Sequence, residues 1–327
     1  MKKLRILFIV VLFLLTSSCE NEKETVKPQN PLRNISEVKM QSFDLDTTSL
    51  KEIVGQKGTK ILFRRDVFDV NESQKITLEL KEFYDFEELL LNNINTITEK
   101  GELLESSGVI YLDFKSDGKS LSLKENEKIG ITFPDDRVGT NGIYSASVDT
   151  LNQFTWKEQE VYVTIMEFDE EYGIELEKSI PRDSLRYYLR EIDTLIPEML
   201  PGQTRVPNYN ITGRVFLDKL KWINIDVVVK PDYLVNFELV PNLKELDYLK
   251  VYFVYNDINS FISRFRWTDN LEFKNIPVKN KTDLVVLGVA EDIIYSTKVN
   301  LNKINSSTID VILKESTIDE VRDLLKP

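Results

Sequence analysis

Trp222, Asn224 and Asp226 occupy every second position of a strand-like segment, 221–230. Alternate residues of a strand point the same way. The three therefore share one face, and Ile223, Ile225 and Val227 share the other. An indole beside an amide and a carboxylate can stack on a sugar ring and hydrogen-bond its hydroxyls. The same spacing equally suits a buried Trp whose N–H is satisfied inside a sandwich, which is the favoured reading. Trp267 is the second aromatic to inspect for glycan stacking. Two acidic groups offer other chemistry. Asp135 and Asp136 precede Gly139, Asn141 and Gly142, and Glu167, Asp169, Glu170 and Glu171 form a second run. Either could give hard oxygen ligands to calcium, yet neither has the spacing of an EF-hand loop. A general acid and nucleophile would need two carboxylates about 5–9 Å apart across a cleft. Solvated acidic turns are the plainer reading. Trp156, Tyr162, Tyr187 and Tyr188 read as core aromatics.

Two scarcities narrow the function further. The chain has no histidine and one cysteine, Cys19. Without histidine there is no Ser-His-Asp or Cys-His catalysis, no His-ligated zinc and no His acid–base group. Carboxylate-only glycosidases show that catalysis without histidine exists. The expectation here is nonetheless a non-catalytic protein with no cofactor and no metal site.

Cys19 ends a distinctive leader. Lys2, Lys3 and Arg5 precede an unbroken apolar run, 6–15, and Thr16-Ser17-Ser18 leads into Cys19. This is the layout of a secretory signal peptide, and the run is too short to span a bilayer. It resembles bacterial lipoprotein signals. The resemblance implies that residues 1–18 are removed and that Cys19 becomes the lipidated first residue. Buried acyl chains at ~0.8 kcal/mol per CH₂ would then hold the protein to a membrane. Glu20-Asn21-Glu22-Lys23-Glu24 resembles the acidic export tag of Bacteroidota surface lipoproteins, which implies an outer-membrane, cell-surface location. The same run also reads as a solvated tether. Residues 19–45, with Pro28 and Pro31, are expected to form that flexible tether.

The net charge is -12 over 327 residues. Removing Lys2, Lys3 and Arg5 leaves 39 basic residues against 54 acidic ones, a net charge of -15. Such a surface repels phosphate backbones, so no nucleic-acid partner is expected. The expected partners are the membrane, through Cys19, and a protein or glycan.

Positioning falls to short strands. Ile76, Leu78 and Leu80 alternate with Thr77, Glu79 and Lys81, the pattern of a half-buried strand. Similar segments are 58–63, 108–114, 120–123, 128–133 and 160–168. Later ones are 209–217, 221–230, 234–240, 248–255, 282–290, 293–301 and 307–314. Turn residues separate many of them, as at Ser116-Asp117-Gly118-Lys119. Helical spacing appears within 82–95 and, more clearly, over 183–196, where Pro197 ends it. Thr317-Ile318-Asp319-Glu320 is a capping box that predicts a C-terminal helix. The fold class is mainly β: two antiparallel β-sandwich domains in tandem with few short helices. The expected division is 46–200 and 205–327, with a Pro-rich boundary near 197–208.

Gly58-Thr59-Lys60-Ile61-Leu62-Phe63, Ile76–Glu82, Leu103–Ile110 and Phe133-Pro134 resemble a β-sandwich domain known from netrin receptors, zonula occludens proteins and ankyrins. Bacteroidota lipoproteins carry divergent versions, in which a segment like Trp222-Ile223-Asn224-Ile225-Asp226 recurs. The resemblance covers 55–135 and 209–230. It implies a sandwich fold and no transferable activity. The expected function is binding a protein partner or serving as an accessory part of a cell-envelope assembly. The alternative is a carbohydrate-binding component of a glycan-uptake system.

Overall fold

The computed structural model describes residues 32, 38–45, 50–134, 142–150, 153–169, 174–181, 210–267, 270–303 and 306–326, with the backbone alone at 162–169, 174–181 and 210–213. The described residues are mainly β, in four sheets that form two sandwiches.

The first sheet runs in the order β1 (Gln41–Leu45), β4 (Ile76–Phe83), β5 (Leu103–Ser116), β13 (Lys221–Val229), β8 (Gly142–Val148) and β9 (Phe154–Glu158). The short β6 (Lys119–Ser120) hairpins back onto β5. The second runs β11 (Ile174–Pro181), β10 (Tyr162–Asp169), β12 (Asn210–Leu217), β7 (Ile129–Thr132), β3 (Lys60–Phe63) and β2 (Lys51–Val54). The alternating faces of these strands close on one core. Ile76, Leu78 and Leu80 meet Ile110, Leu112 and Phe114 from the first sheet, and Ile61, Phe63 and Ile131 from the second.

The third sheet has three strands, β17 (Glu272–Val278), β14 (Tyr233–Pro241) and β20 (Thr308–Val311), and β14 pairs with β20 in parallel. The fourth has β16 (Ser260–Arg266), β15 (Tyr248–Tyr255), β18 (Thr282–Ala290), β19 (Ile293–Asn300) and β21 (Lys314–Glu315). Phe237, Leu249, Val251, Phe253, Phe273 and Leu284 fill the space between these two sheets.

β15 is buried along its whole length, and its sequence, YLKVYFVY, is apolar at nearly every position. Strands buried on both faces lose alternation for this reason. Its second face meets a third core that joins the sandwiches. There Tyr252, Val254, Phe261, Val285 and Leu287 pack against Phe83, Val109 and Trp156 of the first sheet and Leu89 to Leu91. Those leucines lie on α1 (Phe86–Leu91), and α2 (Ile318–Leu325) adds Val321 and Leu325 to the same core. The Thr317–Glu320 capping box forms at the start of α2 as its sequence requires. Phe86 packs edge-on to Phe261, and Arg322 of α2 pairs with Glu87 of α1.

Hydrogen bonds reinforce the joint. The Thr96 N–H donates to Phe261 O, and the Phe261 N–H donates to Thr96 Oγ1. The Ser263 N–H donates to Asn95 Oδ1, and Trp156 Nε1 donates to Asn95 O. The segment after α1 thus covers the backbone of β16, an edge strand that would otherwise expose unpaired groups.

Two expectations need correction. The sheets of the first sandwich continue to Val229, because β12 pairs with β7 and β10 while β13 inserts between β5 and β8. The change of sandwich therefore follows Val229 rather than 197–208. A Pro-rich stretch is a local feature of composition, whereas sheet membership depends on long-range pairing that local composition does not encode. The expected tether 19–45 also overlaps the fold. Leu32 is fully buried in the third core, and β1 pairs with β4. β1 escaped notice because one of its buried positions is polar Gln41. The expected helix at 183–196 lies outside the described residues. Among the described residues, no helix is long and apolar enough to cross a membrane.

Gly108 gives a sharp test of this packing. It has φ 149°, and a Cβ there would stand 2.2 Å from the Tyr84 ring. It lies beside a bulge in β5, where Ile225 faces Gly108 but Asp226 faces Ser106. Gly108→Ala is expected to lower stability by about 1–3 kcal/mol, read as a fall in the urea midpoint. Tyr84→Ala in the same chain should recover part of that loss. An unchanged midpoint for Gly108→Ala would contradict the close approach.

Candidate functional site

The outer face of the first sheet brings together the side chains best suited to contact. β4 presents Glu79 and Lys81, β5 presents Tyr111 and Lys115 with Asp113 buried between them, and β13 presents Lys221 and Trp222. Cross-strand register sets their spacing, with Glu79 opposite Asp113, Lys81 opposite Tyr111 and Trp222 opposite Tyr111.

A charge ladder crosses this face. Lys115 Nζ lies 2.7 Å from Glu79 Oε2 and 4.0 Å from Asp113 Oδ2, and Lys221 Nζ lies 2.5 Å from Asp113 Oδ1. Ser120 Oγ donates to Asp113 Oδ2, and Lys221 Nζ donates to Ser120 Oγ. The Asp113 side chain is 2% exposed while that of Lys221 is 40% exposed. Lys221 has φ 78°, a left-handed conformation that costs a non-glycine residue roughly 1–2 kcal/mol. Tyr111 donates to Asp113 Oδ2. Burial, then the Asp113 charge, pushes the Tyr111 phenol up to about 12. It therefore stays protonated at neutral pH.

Aromatic rings continue the face. Trp222 meets Tyr111 edge-on at 5.0 Å, Phe154 edge-on at 4.9 Å and Phe83 at 5.6 Å. Trp222 and Tyr111 are both half-buried. Trp222 thus falls between the two readings of its sequence: part of the ring is packed and part meets solvent.

Asn224 and Asp226 do not join it at the surface. Both are fully buried, so neither can touch a ligand from solvent. The reason is topological. β13 is an interior strand of its seven-stranded sheet, between β5 and β8, and its far end runs under the joint with the second sandwich. Trp267 is 44% exposed and follows β16 of the fourth sheet, whereas Trp222 lies at the start of β13 in the first. The ring contacts of Trp222 are with Phe83, Tyr111 and Phe154, not with Trp267. Trp156 is fully buried, as expected of a core aromatic. Asp135, Asp136, Gly139, Asn141, Glu170, Glu171, Tyr187 and Tyr188 lie outside the described residues, as do the side chains of Tyr162, Glu167 and Asp169. Among the described residues, no group of three or more carboxylates or other metal-binding side chains converges.

Two further features were missed in the sequence. A recess of about 660 Å³ is rimmed by Glu99, Glu102, Glu158 and Glu160 together with Lys100 and Lys157. Its walls carry mixed charge. The second is the Glu82 carboxylate, which is buried and accepts from Gln41 Nε2, the Lys57 N–H, the Thr59 N–H and Thr59 Oγ1. Burial alone would raise its pKa. These donors outweigh burial and hold the carboxyl below its ordinary range. The sequence signal was a charged residue, Glu82, at an inward position of an alternating strand.

No family model matches this chain, no curated protein matches it, and no solved structure matches it.

Proposed function

We propose that this chain is a non-catalytic lipoprotein, anchored through lipid on Cys19 and displayed at the outer-membrane surface, that binds a protein partner or serves as an accessory part of a cell-envelope assembly. The observation that carries the reading is the shared third core. It joins two sandwiches into one body and leaves the mixed aromatic and charged face of the first sheet toward solvent. Glu82 and Asp113 support it too, since hydrogen bonds and ion pairs within the fold already engage both carboxylates. The leader ending at Cys19 and the acidic run after it support the location. The likeness of 55–135 and 209–230 to divergent sandwich domains of Bacteroidota lipoproteins agrees with it.

Cross-linking in living cells tests this reading, using a C-terminally tagged full-length chain followed by mass spectrometry. Recovery of one envelope protein in near-equal amount is the expected result. An abundant, surface-exposed chain that captures no protein would overturn it.

A second reading, glycan binding within an uptake system, is favoured by one observation: half-exposed Trp222 and Tyr111 sit beside Asp113 and Lys221. It predicts that Trp222→Ala abolishes glycan retention on an affinity gel while Trp267→Ala, outside that pair, leaves it intact.

A further inference from the structure

Where β13 passes under the joint, Asn224 Nδ2 donates to Asp226 Oδ2 at 2.6 Å. The other oxygen of each side chain, Asn224 Oδ1 and Asp226 Oδ1, is buried and has no hydrogen-bond donor. Leaving such acceptors unmet costs about 1–3 kcal/mol each, and more for a charged group. An ionised Asp226 cannot satisfy Asn224 Oδ1, because a carboxylate oxygen and an amide oxygen are both acceptors.

We infer that Asp226 is held in the folded protein as a neutral carboxylic acid, with a proton on Oδ1 that it donates to Asn224 Oδ1. One proton converts two unmet acceptors into a donor and an acceptor. The side chains then form a cyclic acid–amide pair with a hydrogen bond in each direction, and no charge is left in the joint.

The surroundings favour the neutral form. Burial is the main cause, and it pushes the Asp226 carboxyl up to about 8. The Asn224 amide, the Ser106 hydroxyl and the Ser107 N–H pull the other way, while the Glu105 charge on β5 adds to the rise. On the other side, β8 places Gly142 opposite Asp226, and the Tyr144 hydroxyl lies over Gly142. From the second sandwich, Asn259 accepts from the Ser106 N–H through its carbonyl and donates to Ser106 O through its amide. Asp257 of the same turn is exposed to solvent. The acid–amide pair therefore sits directly behind a contact that ties the two sandwiches, and its proton is part of that joint.

The direction of the pH effect follows. Asp226 has a folded pKa above its unfolded value of about 3.9. Its contribution is fully present below about pH 4, declines as pH rises, and is lost once pH passes the folded value of about 8. Above that it is constant.

Asp226→Asn supplies a permanent N–H donor in place of the acid proton and cannot ionise. Its melting temperature should gain on the wild type steadily from about pH 5 to pH 8 and hold that lead above. Infrared spectra of the wild type near pH 6 should contain a protonated-carboxyl band that vanishes above about pH 8 and is missing from the variant. If the variant does not fold, carbon-13 labelling of Asp in the wild type still reports the band. A constant melting difference at every pH, or absence of the band near pH 6, would overturn the inference. So would stabilisation of the wild type, but not the variant, by added sodium, potassium or calcium, since a cation would then occupy the orphan oxygens.

Discussion

Replacing Lys250 by methionine is expected to stabilise the protein by about 1–4 kcal/mol near neutral pH. Lys250 is fully buried in the centre of β15. Its Nζ lies 4.8 Å from the Phe265 ring centroid and 5.1 Å from that of Tyr252. Such ring contacts return about 0.5–2 kcal/mol for a cation. Burial outweighs them and holds the amine well below its ordinary range. The folded pKa then lies below the unfolded value of about 10.4. Between those two values the unfolded chain binds a proton that the folded chain does not, so the penalty grows as pH falls from about 10.4. Methionine fills a similar volume and carries no charge. Thermal unfolding of Lys250→Met against the wild type should show a rise of several degrees at pH 7 that shrinks toward pH 10.5. A loss of stability of equal size at both pH values would contradict this account of the site.

The second large effect is at Glu82. Its four donors come from β1, through Gln41, and from the turn between β2 and β3, through Lys57 and Thr59. One carboxylate therefore ties an edge strand of the first sheet to a hairpin of the second. Gly55 permits the approach, since a Cβ there would lie 2.7 Å from the carboxyl group. Glutamine in its place turns one acceptor oxygen into an N–H₂ that faces donors. Glu82→Gln is expected to cost about 1.5–3 kcal/mol, the worth of hydrogen bonds to a charged group. Because the folded pKa is lowered, the stabilisation is present above the unfolded value of about 4.3 and is lost as pH falls through the folded value. Urea unfolding at pH 7 and at about pH 3 tests both parts. The gap between wild type and variant should be wide at pH 7 and narrow in acid. A gap that stays constant into acid would mean that volume rather than charge sets the cost.

Strand identity was legible wherever alternation survived burial on one face. The Ile76 to Leu80 repeat became β4, while 248–255, buried on both faces, was legible as a continuous apolar run and became β15. The capping box at Thr317 likewise became a helix start. What the sequence hid was partnership. β16 and β17 went unread because their polar and apolar residues do not alternate cleanly: β16 is covered at one edge by the segment after α1, and β17 has a bulged register with β14. The membership of β12 and β13 depends on pairing with strands about a hundred residues earlier. For the candidate site, period-two spacing correctly grouped Trp222, Asn224 and Asp226 on one face. It could not tell that one end of β13 meets solvent while the other passes beneath a second sandwich. Depth along a strand is a property of the assembled fold.

The central claim is that contact with a partner is made by the outer face of the first sheet. Site-specific photo-cross-linking in living cells tests it most directly, with the probe placed at Lys81 or Lys115 on that face and at Lys274, whose side chain is 72% exposed on the third sheet, as the comparison. The account predicts a discrete protein adduct from Lys81 and Lys115 and none from Lys274. Adducts from Lys274 alone, or from none of the three in a chain displayed at the surface, would contradict it.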